Sequence, residues 1–488
     1  MQTAYKNEKT AESPSKELDG FPGNPDGTLP EVPLDQLEKG PGTKTRFTQL
    51  LAVIVAGVAL FSDGYNIQVT AYTNTVLTAL YPVEMTVEMR TRLSNSLLVG
   101  DIIGMLAFGL ASDRIGRRWG IIGCTLLLVG GVVLATAAHG TSTTGMLWMM
   151  IIGRGVAGVG AGGEYAVCTT SSIEAADDVP ELRRRRGLLV AWSTNVAIIS
   201  GFVGSALVVL VVLAAYGGRP SDGVWRISFG VGCVLPLAVF GFRLRMADSK
   251  LFEKHGVRGR RFPYKLAIKR YWKSLAGCAG VWFLYNMVVY PFNLLAPTIV
   301  AGFAPNQSLL QTNGWSTLVN SFALPGAIFG SLLIDRMGPR QTYAFGLVVV
   351  AVLGFTIGGA MEPLRTGGTG AFAAFVILFG LFQCFLSVGP GNNNFVISSE
   401  SFPTAIRGHC LGFAAAMGKT GAAIGTQIFP IIQTKFATPI KGQQAIFLVG
   451  SGICALGAVW VMWLVPNRRA QLEDEDILFT QYLEANGW

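Results

Sequence analysis

From about residue 47 onward the chain reads as long apolar runs separated by short polar breaks. Each run holds about 20 residues, which at roughly 1.5 Å per residue spans a hydrocarbon core of about 30 Å. The pattern predicts helices near 47–72, 93–112, 119–138, 145–172, 187–215, 225–246, 273–300, 313–334, 341–361, 370–398, 408–433 and 443–465. The expected fold is therefore an all-α membrane protein with twelve transmembrane helices. An even number of crossings leaves both chain ends on one side. Residues 1–45 break the pattern, being polar and rich in Pro, Gly, Glu and Lys. They lack the basic start, apolar core and small-residue cleavage site of a signal peptide, and read as a disordered tail.

Composition agrees with the pattern. Hydrophobic residues are 51% of the chain, charged residues only 14%, and mean hydropathy is +0.46. A soluble domain carries about a quarter charged residues. The net charge of +9 matters through its placement. Loops on the side of the termini, with the basic stretch Arg243–Lys273, hold 21 Lys and Arg, against 7 in the opposite loops. The positive-inside rule then puts both termini in the cytosol. This charge calls for a lipid bilayer as partner and for no nucleic acid. The seven cysteines form no Cys-x-x-Cys pair and the three histidines are isolated, so neither a metal nor a cofactor is expected. Asn306-Gln307-Ser308 is a sequon in a predicted outer loop, and chance explains it as well as glycosylation does.

One stretch suggests an enzyme. "GRGVAGVGAGGEYAV", from Gly153 to Val167, contains Gly158-x-Gly160-x-x-Gly163 followed by Glu164. A dinucleotide site needs a strand before such glycines. Here they lie inside an apolar span. Gly158 and Gly162 are four apart, as are Ala157 and Ala161. That spacing makes a small-residue helix face suited to close helix packing. The reading excludes a nucleotide enzyme.

The chain also repeats itself. "GLASDRIGRR" follows the second helix and "GSLLIDRMGPR" the eighth, with their aspartates, Asp113 and Asp335, 222 residues apart. Arg186-Gly187 and Arg407-Gly408, after the fourth and tenth helices, are 221 apart. The expected layout is a tail (1–45), a six-helix half (46–246), a basic cytosolic linker (247–272), a second six-helix half (273–466) and a tail (467–488). The Asp-Arg-x-Gly-Arg-Arg loop, its weaker copy and the six-plus-six layout resemble the major facilitator superfamily. The resemblance implies substrate binding between the halves near the midplane. It also implies a gating latch formed by Asp113, Arg114, Arg117 and Arg118, with Asp335 and Arg336 in the second copy.

Five charged residues lie away from the span ends: Asp63, Asp101, Arg154, Glu164 and Lys419. Each costs about 2.5–3.5 kcal/mol near a bilayer centre, so each needs a partner or a function. For Asp101 a structural ion pair and a functional role weigh equally. Counting along the helices puts Asp63 and Arg154 at similar height in the outer half, where a proton-broken Asp–Arg pair is expected. Glu164 falls about 15 Å deeper than Arg154. The repeat offset aligns Asp63 with Tyr285 and Asn286, and Asn195 with a position two before Lys419. Polar groups expected at matching depth are Tyr65, Asn66, Gln68, Tyr165, Asn195, Trp282, Tyr285, Asn286, Tyr290, Asn392 and Asn393. Trp282, Asn286 and Tyr290 share a helix face by their spacing of four. Fixed positive charge on Lys419, ringed by such donors, suits an anion with several acceptor oxygens.

Within the superfamily, several stretches resemble the phosphate:proton symporters of fungi and plants and the fungal glycerophosphodiester permeases. "GGEYAV" resembles the symporters' Gly-Gly-Asp-Tyr-Pro, with Glu164 for Asp and Ala166 for Pro. Moving an anion into a negative cytosol needs co-transported cations, and Asp63 and Glu164 are the expected proton carriers. By the resemblance Glu164 is also the acid near the substrate and Tyr165 a phosphate ligand. "SDGYN" and "GKTGA" make Asp63 the proton carrier and Lys419 its partner or a phosphate ligand. The symporters' seventh-helix Trp, Asp, Tyr series appears as Trp282, Asn286, Tyr290, without the acid. Their fifth-helix Gln finds only Asn195. These departures, with "YPF" and "GPGNNN", resemble the glycerophosphodiester permeases more. Asparagines and Gln68 would then bind a polyol head group, or Trp282, Tyr285 and Trp192 a choline cation. The resemblance implies proton-coupled import of a glycerophosphodiester, such as glycerophosphoinositol or glycerophosphocholine, by alternating access in a plasma-membrane monomer. An inorganic phosphate symporter is the first alternative, and a sugar porter and a non-transporting nutrient sensor follow.

Overall fold

A computed structural model describes residues 43–115, 117–177, 186–243, 263–303, 307–466 and 472–487. The described residues form twelve long helical rods, with no strand among them. The rods are α1 (Thr43–Leu80), α2 (Val87–Ile115), α3 (Arg117–Thr136) and α4 (Thr143–Asp177). Next come α5 (Gly187–Ala215) and α6, which breaks into Asp222–Val231 and Val234–Arg243. The second set is α7 (Tyr264–Phe303), α8 (Leu309–Met337), α9 (Pro339–Gly359), α10 (Gly368–Glu400), α11 (Thr404–Thr434) and α12 (Pro439–Leu464). A short helix, Met361–Thr366, joins α9 to α10, and α13 (Leu472–Glu484) follows α12.

Seven of these helices (α4, α5, α7, α8, α9, α10 and α12) are apolar and long enough to cross a membrane alone. Among the rest, α1, α2 and α11 are more polar, and each carries one member of the charged cluster described below. Asp63, Gln68, Asn286, Asn392 and Lys419 are buried while Leu207, Val211, Val352 and Trp463 are exposed. This inverted arrangement is that of helices whose outer face meets lipid rather than water.

Local sequence sets the ends and the bends. Ser308 and Gln311 form a capping box that starts α8. Gly338, at φ +88°, makes the turn from α8 to α9, a conformation that other residues rarely adopt. Two π turns interrupt α5 at Trp192–Val196 and α10 at Ser387–Gly391. Pro390 accounts for the second, because it offers no N–H to the helical ladder.

The glycines of α4 pack as expected. A side chain on Gly158 would strike the backbone of α2 at Leu97 and Gly100, and one on Gly162 the backbone at Asp101. Gly160 lies equally close to α3 at Cys124 and Leu128. α4 is thus wedged between α2 and α3 with backbone nearly touching backbone.

The differences from expectation that matter most are these. α1 continues eight residues past position 72, to Leu80. α7 begins at Tyr264, so the last part of the presumed linker is helix. The C-terminal tail contains α13, an amphipathic helix whose Phe479 is buried against Tyr271 at 5.6 Å.

Candidate functional site

The most concentrated chemistry lies where α1, α2, α4, α7 and α11 converge. Lys419 of α11 is buried, with its Nζ 2.7 Å from Asp101 Oδ2 and 3.5 Å from Asp63 Oδ2. The rings of Tyr165 and Tyr290 flank the ammonium at 5.4 and 5.2 Å. Asp63 Oδ1 and Asp101 Oδ1 have no hydrogen-bond partner among the described residues. One ammonium is thus in ion-pair reach of two buried carboxylates, where an unpaired charge is costly. The acids belong to the first six helices and the lysine to the second six, so the ion pairs join the two sets.

An aromatic wall stands beside the cluster. Tyr165 meets Trp282 edge-on at 6.4 Å and Phe395 at 5.4 Å. Trp282 Nε1 donates to the Asn394 carbonyl and to Ser398 Oγ, each at 3.0 Å, which fixes the indole. Asn286 packs its amide on Gly418, the residue before Lys419. Asp63, Tyr165, Trp282, Asn286, Tyr290 and Lys419 are thus brought together.

Other expected residues face elsewhere. The Asp63–Arg154 pair does not form. Arg154 Nη2 donates to the Asn66 carbonyl at 2.8 Å and its guanidinium lies 5.1 Å from the Phe229 ring centroid. Equal depth gave the two residues equal height but said nothing of rotation about each helix axis. Glu164 accepts from Thr125 Oγ1 at 2.6 Å, on the α3 side of α4. Its neighbour Tyr165, about 100° further round the helix, takes the central position. Tyr65 donates to the Ser228 carbonyl at 2.7 Å, within the first six helices. Trp192 is 49% exposed and cannot share a cage with the buried Trp282 and Tyr285.

Toward the side where α1 begins, the two π turns face each other. Asn195 Nδ2 donates to Asn392 Oδ1 at 2.9 Å, and Asn392 Nδ2 to the Ala327 carbonyl at 2.7 Å. The Tyr285 ring belongs to this layer, with its hydroxyl close to Gly391. Asn393 turns back on its own helix, donating to the Gly389 carbonyl at 2.7 Å. Gly187, near the start of α5, abuts Asp335 and Ile334 at the end of α8, and Asp335 and Arg336 are exposed there. The side chains of Asp113, Arg114, Arg117 and Arg118 lie outside the described residues, as does Asn306.

Toward the far side a second polar layer crosses between the sets. Gln68 Nε2 donates to the Asn293 carbonyl at 3.1 Å, and Asn95 Nδ2 to Gln427 Oε1 at 2.8 Å. Gln383 Nε2 links Asn293 Oδ1 (2.7 Å) to Asn320 Oδ1 (3.0 Å), and Asn320 Nδ2 donates to the Tyr72 hydroxyl at 2.9 Å. Beyond this layer lies a cavity of about 750 Å³, lined by the far ends of α1, α2, α7, α8, α11 and α12. Sequence reasoning weighed Asp101 evenly and did not assign it to the site. Its charge inside a span was the available signal.

The pattern of the sugar (and other) transporter family matches residues 52–258 and 263–473. Glycerophosphoinositol permease 1 of Candida albicans is 36% identical over 90% of this chain and 82% of the relative. Glycerophosphocholine permease GIT4 of the same organism is 34% identical over 91% of this chain and 84% of its own length. Among solved structures, the proton:xylose symporter XylE bound to 6-bromo-6-deoxy-D-glucose superposes with a TM-score of 0.71. It covers 88% of this chain and 98% of that one at 19% identity, a likeness of fold. This chain is an integral membrane transporter, not an enzyme, and belongs to the sugar (and other) transporter family of the major facilitator superfamily, alongside the fungal glycerophosphodiester permeases.

Proposed function

We propose that the chain imports glycerophosphodiesters, such as glycerophosphoinositol or glycerophosphocholine, together with protons, by alternating access. In this reading it works as a monomer in the plasma membrane with both termini in the cytosol. The observation that supports it most is the sharing of Lys419 by Asp63 and Asp101.

A phosphodiester carries one negative charge at neutral pH and competes with the carboxylates for Lys419. A proton on either acid removes one competitor, so proton and anion favour each other's binding, as linkage requires. When the site opens inward, loss of the proton returns a carboxylate to Lys419 and expels the diester. The membrane potential opposes an entering anion by about 2.3 kcal/mol per 100 mV. For glycerophosphoinositol one proton cancels that cost, and the second acid offers a place for another; glycerophosphocholine, whose choline cation balances its phosphate, carries no such cost. Tyr165, Trp282, Asn286 and Tyr290 form the wall against which the head group is read. Tyr285, Asn195, Asn392, Asn393 and Gln68 belong to the layers that open and close on either side. Arg154, Glu164 and Tyr65 hold the helices that present the acids.

The test is initial-rate uptake of labelled glycerophosphoinositol, glycerophosphocholine and inorganic phosphate by one host expressing this chain, at pH 5 and pH 7. Diester uptake that rises at pH 5 and exceeds phosphate uptake is expected. Phosphate uptake as fast as that of either diester would overturn the reading in favour of a phosphate symporter.

A further inference from the structure

Arg90 counts in the sequence only as one of the few basic residues on the far side. The structure gives it a different setting. It lies four residues into α2, half-buried, on the wall of the 750 Å³ cavity. It is the one charged residue among those lining the cavity, and no acid lines it. Among the described residues no carboxylate is within ion-pair distance of its guanidinium. Arg92, two residues on, is spoken for in the ordinary surface manner, by Glu88 and the Trp148 ring.

The rest of the polar lining is neutral. Asn74, Thr78, Thr91, Thr312 and Gln433 contribute hydroxyls and amides from both sets of helices. A single unpaired cation among such groups attracts an anion and can hydrogen-bond a polyol attached to it, and no carboxylate lines the cavity to compete for the cation. The volume is in the range of small-molecule sites. The floor is the polar layer in which Gln68 meets Asn293 and Asn95 meets Gln427. Lys419 lies one to two helical turns beneath it, since Ala423 and Gln427 follow Lys419 on α11 by four and eight residues.

We infer that this cavity is a loading site, separate from the Lys419 centre, in which Arg90 captures the phosphate of a phosphodiester and the surrounding hydroxyls and amides hold its polyol. The inference rests on the proposed function and adds a second station to it. Arg90 receives the anion while the floor is closed. Parting of the floor then exposes the stronger but shared cation, Lys419.

Uptake kinetics of Arg90→Gln and Arg90→Lys test it, at matched surface amounts and two ionic strengths. Arg90→Gln should raise the KM for glycerophosphoinositol roughly tenfold, the loss of one partly exposed charge-assisted contact, with Vmax unchanged. Arg90→Lys should recover part of the loss. Raising salt should raise KM in the unaltered protein, because the capture is electrostatic, and much less in Arg90→Gln. A KM for Arg90→Gln within twofold of the unaltered protein, or an equal salt response, would overturn the loading site. If Arg90→Gln fails to reach the membrane, Thr78→Cys replaces it. The diester should protect that cysteine from an impermeant sulfonate thiol reagent, and absence of protection would overturn the inference equally. An unaltered chain that moves no diester at all would instead overturn the proposed function.

Discussion

Lys419 stands 2.7 Å from Asp101 and 3.5 Å from Asp63, so a single ammonium ties the second six helices to two helices of the first. The nearer partner is the acid on α2, not the one on α1. Asp101→Asn is therefore expected to reduce proton-stimulated uptake more than Asp63→Asn, each by at least about tenfold at equal surface amount. The measurement is the ratio of initial rates at pH 5 and pH 7. A Asp101→Asn protein that keeps the full ratio would remove Asp101 from coupling.

Stability gives a second handle on the same cluster. Lys419→Gln leaves two buried carboxylates without their ion-pair partner, and breaking a buried pair by removing one partner costs about 3–5 kcal/mol. A clear fall in Tm of the detergent-solubilised protein is expected. Adding Asp101→Asn to Lys419→Gln removes one of the two stranded charges. The double variant should melt above Lys419→Gln. Additive losses, read by a double-mutant cycle, would mean that the two side chains do not depend on each other.

What could be read from the sequence, and what could not, divides along a physical line. Counting residues at about 1.5 Å each gives only coarse depth: it sets Glu164, and with it Tyr165, about 15 Å below Arg154 and so below Asp63, yet Tyr165 and Asp63 both face Lys419. Rotation about a helix axis is harder. In a soluble helix a broad polar face marks the outside, but here both faces of a helix are largely apolar and the few buried polar residues give a weak pattern. That is why Arg154 was matched to Asp63 although it turns to the Asn66 carbonyl, and why Glu164 and Tyr165 seemed to share one site although Glu164 turns to Thr125. The glycines were legible, because only close packing explains small residues at a spacing of four in Gly158 and Gly162. Arg90 was not, because whether a charge near a span end faces water or a cavity depends on the neighbouring helices. The helix at 472–484 was hidden by its many acids, and its anchor is the distant Tyr271 ring.

The glycine face can be tested against a control in the same protein. Gly162→Val would drive a side chain into the Asp101 backbone and push α2, with its acid, away from Lys419. Loss of most folded protein is expected, with no uptake by what remains. Gly130, in α3, has open space where a side chain would go. Gly130→Ala should be neutral or stabilise by up to about 1 kcal/mol, because alanine costs less backbone entropy in a helix. Equal monodispersity of the two variants in size-exclusion chromatography would contradict the packing.

Asn286 provides the sharpest choice between substrates. Its amide packs on Gly418, directly before Lys419 on α11. Asn286→Asp would bring a third carboxylate to a lysine that already serves two. A phosphodiester has a single ionisable oxygen and cannot carry a proton there at neutral pH, so it meets the new charge unprotected. Diester uptake should fall more than about tenfold at pH 7, since like charges at close range in a buried site disfavour one another strongly. Inorganic phosphate can share its own proton with the added acid, so its uptake should fall less or rise. The measurement is the ratio of the two uptake rates before and after the substitution. A ratio that stays constant would mean that the position does not read the substrate, and the contrast with phosphate symporters drawn from Asn286 would lose its basis.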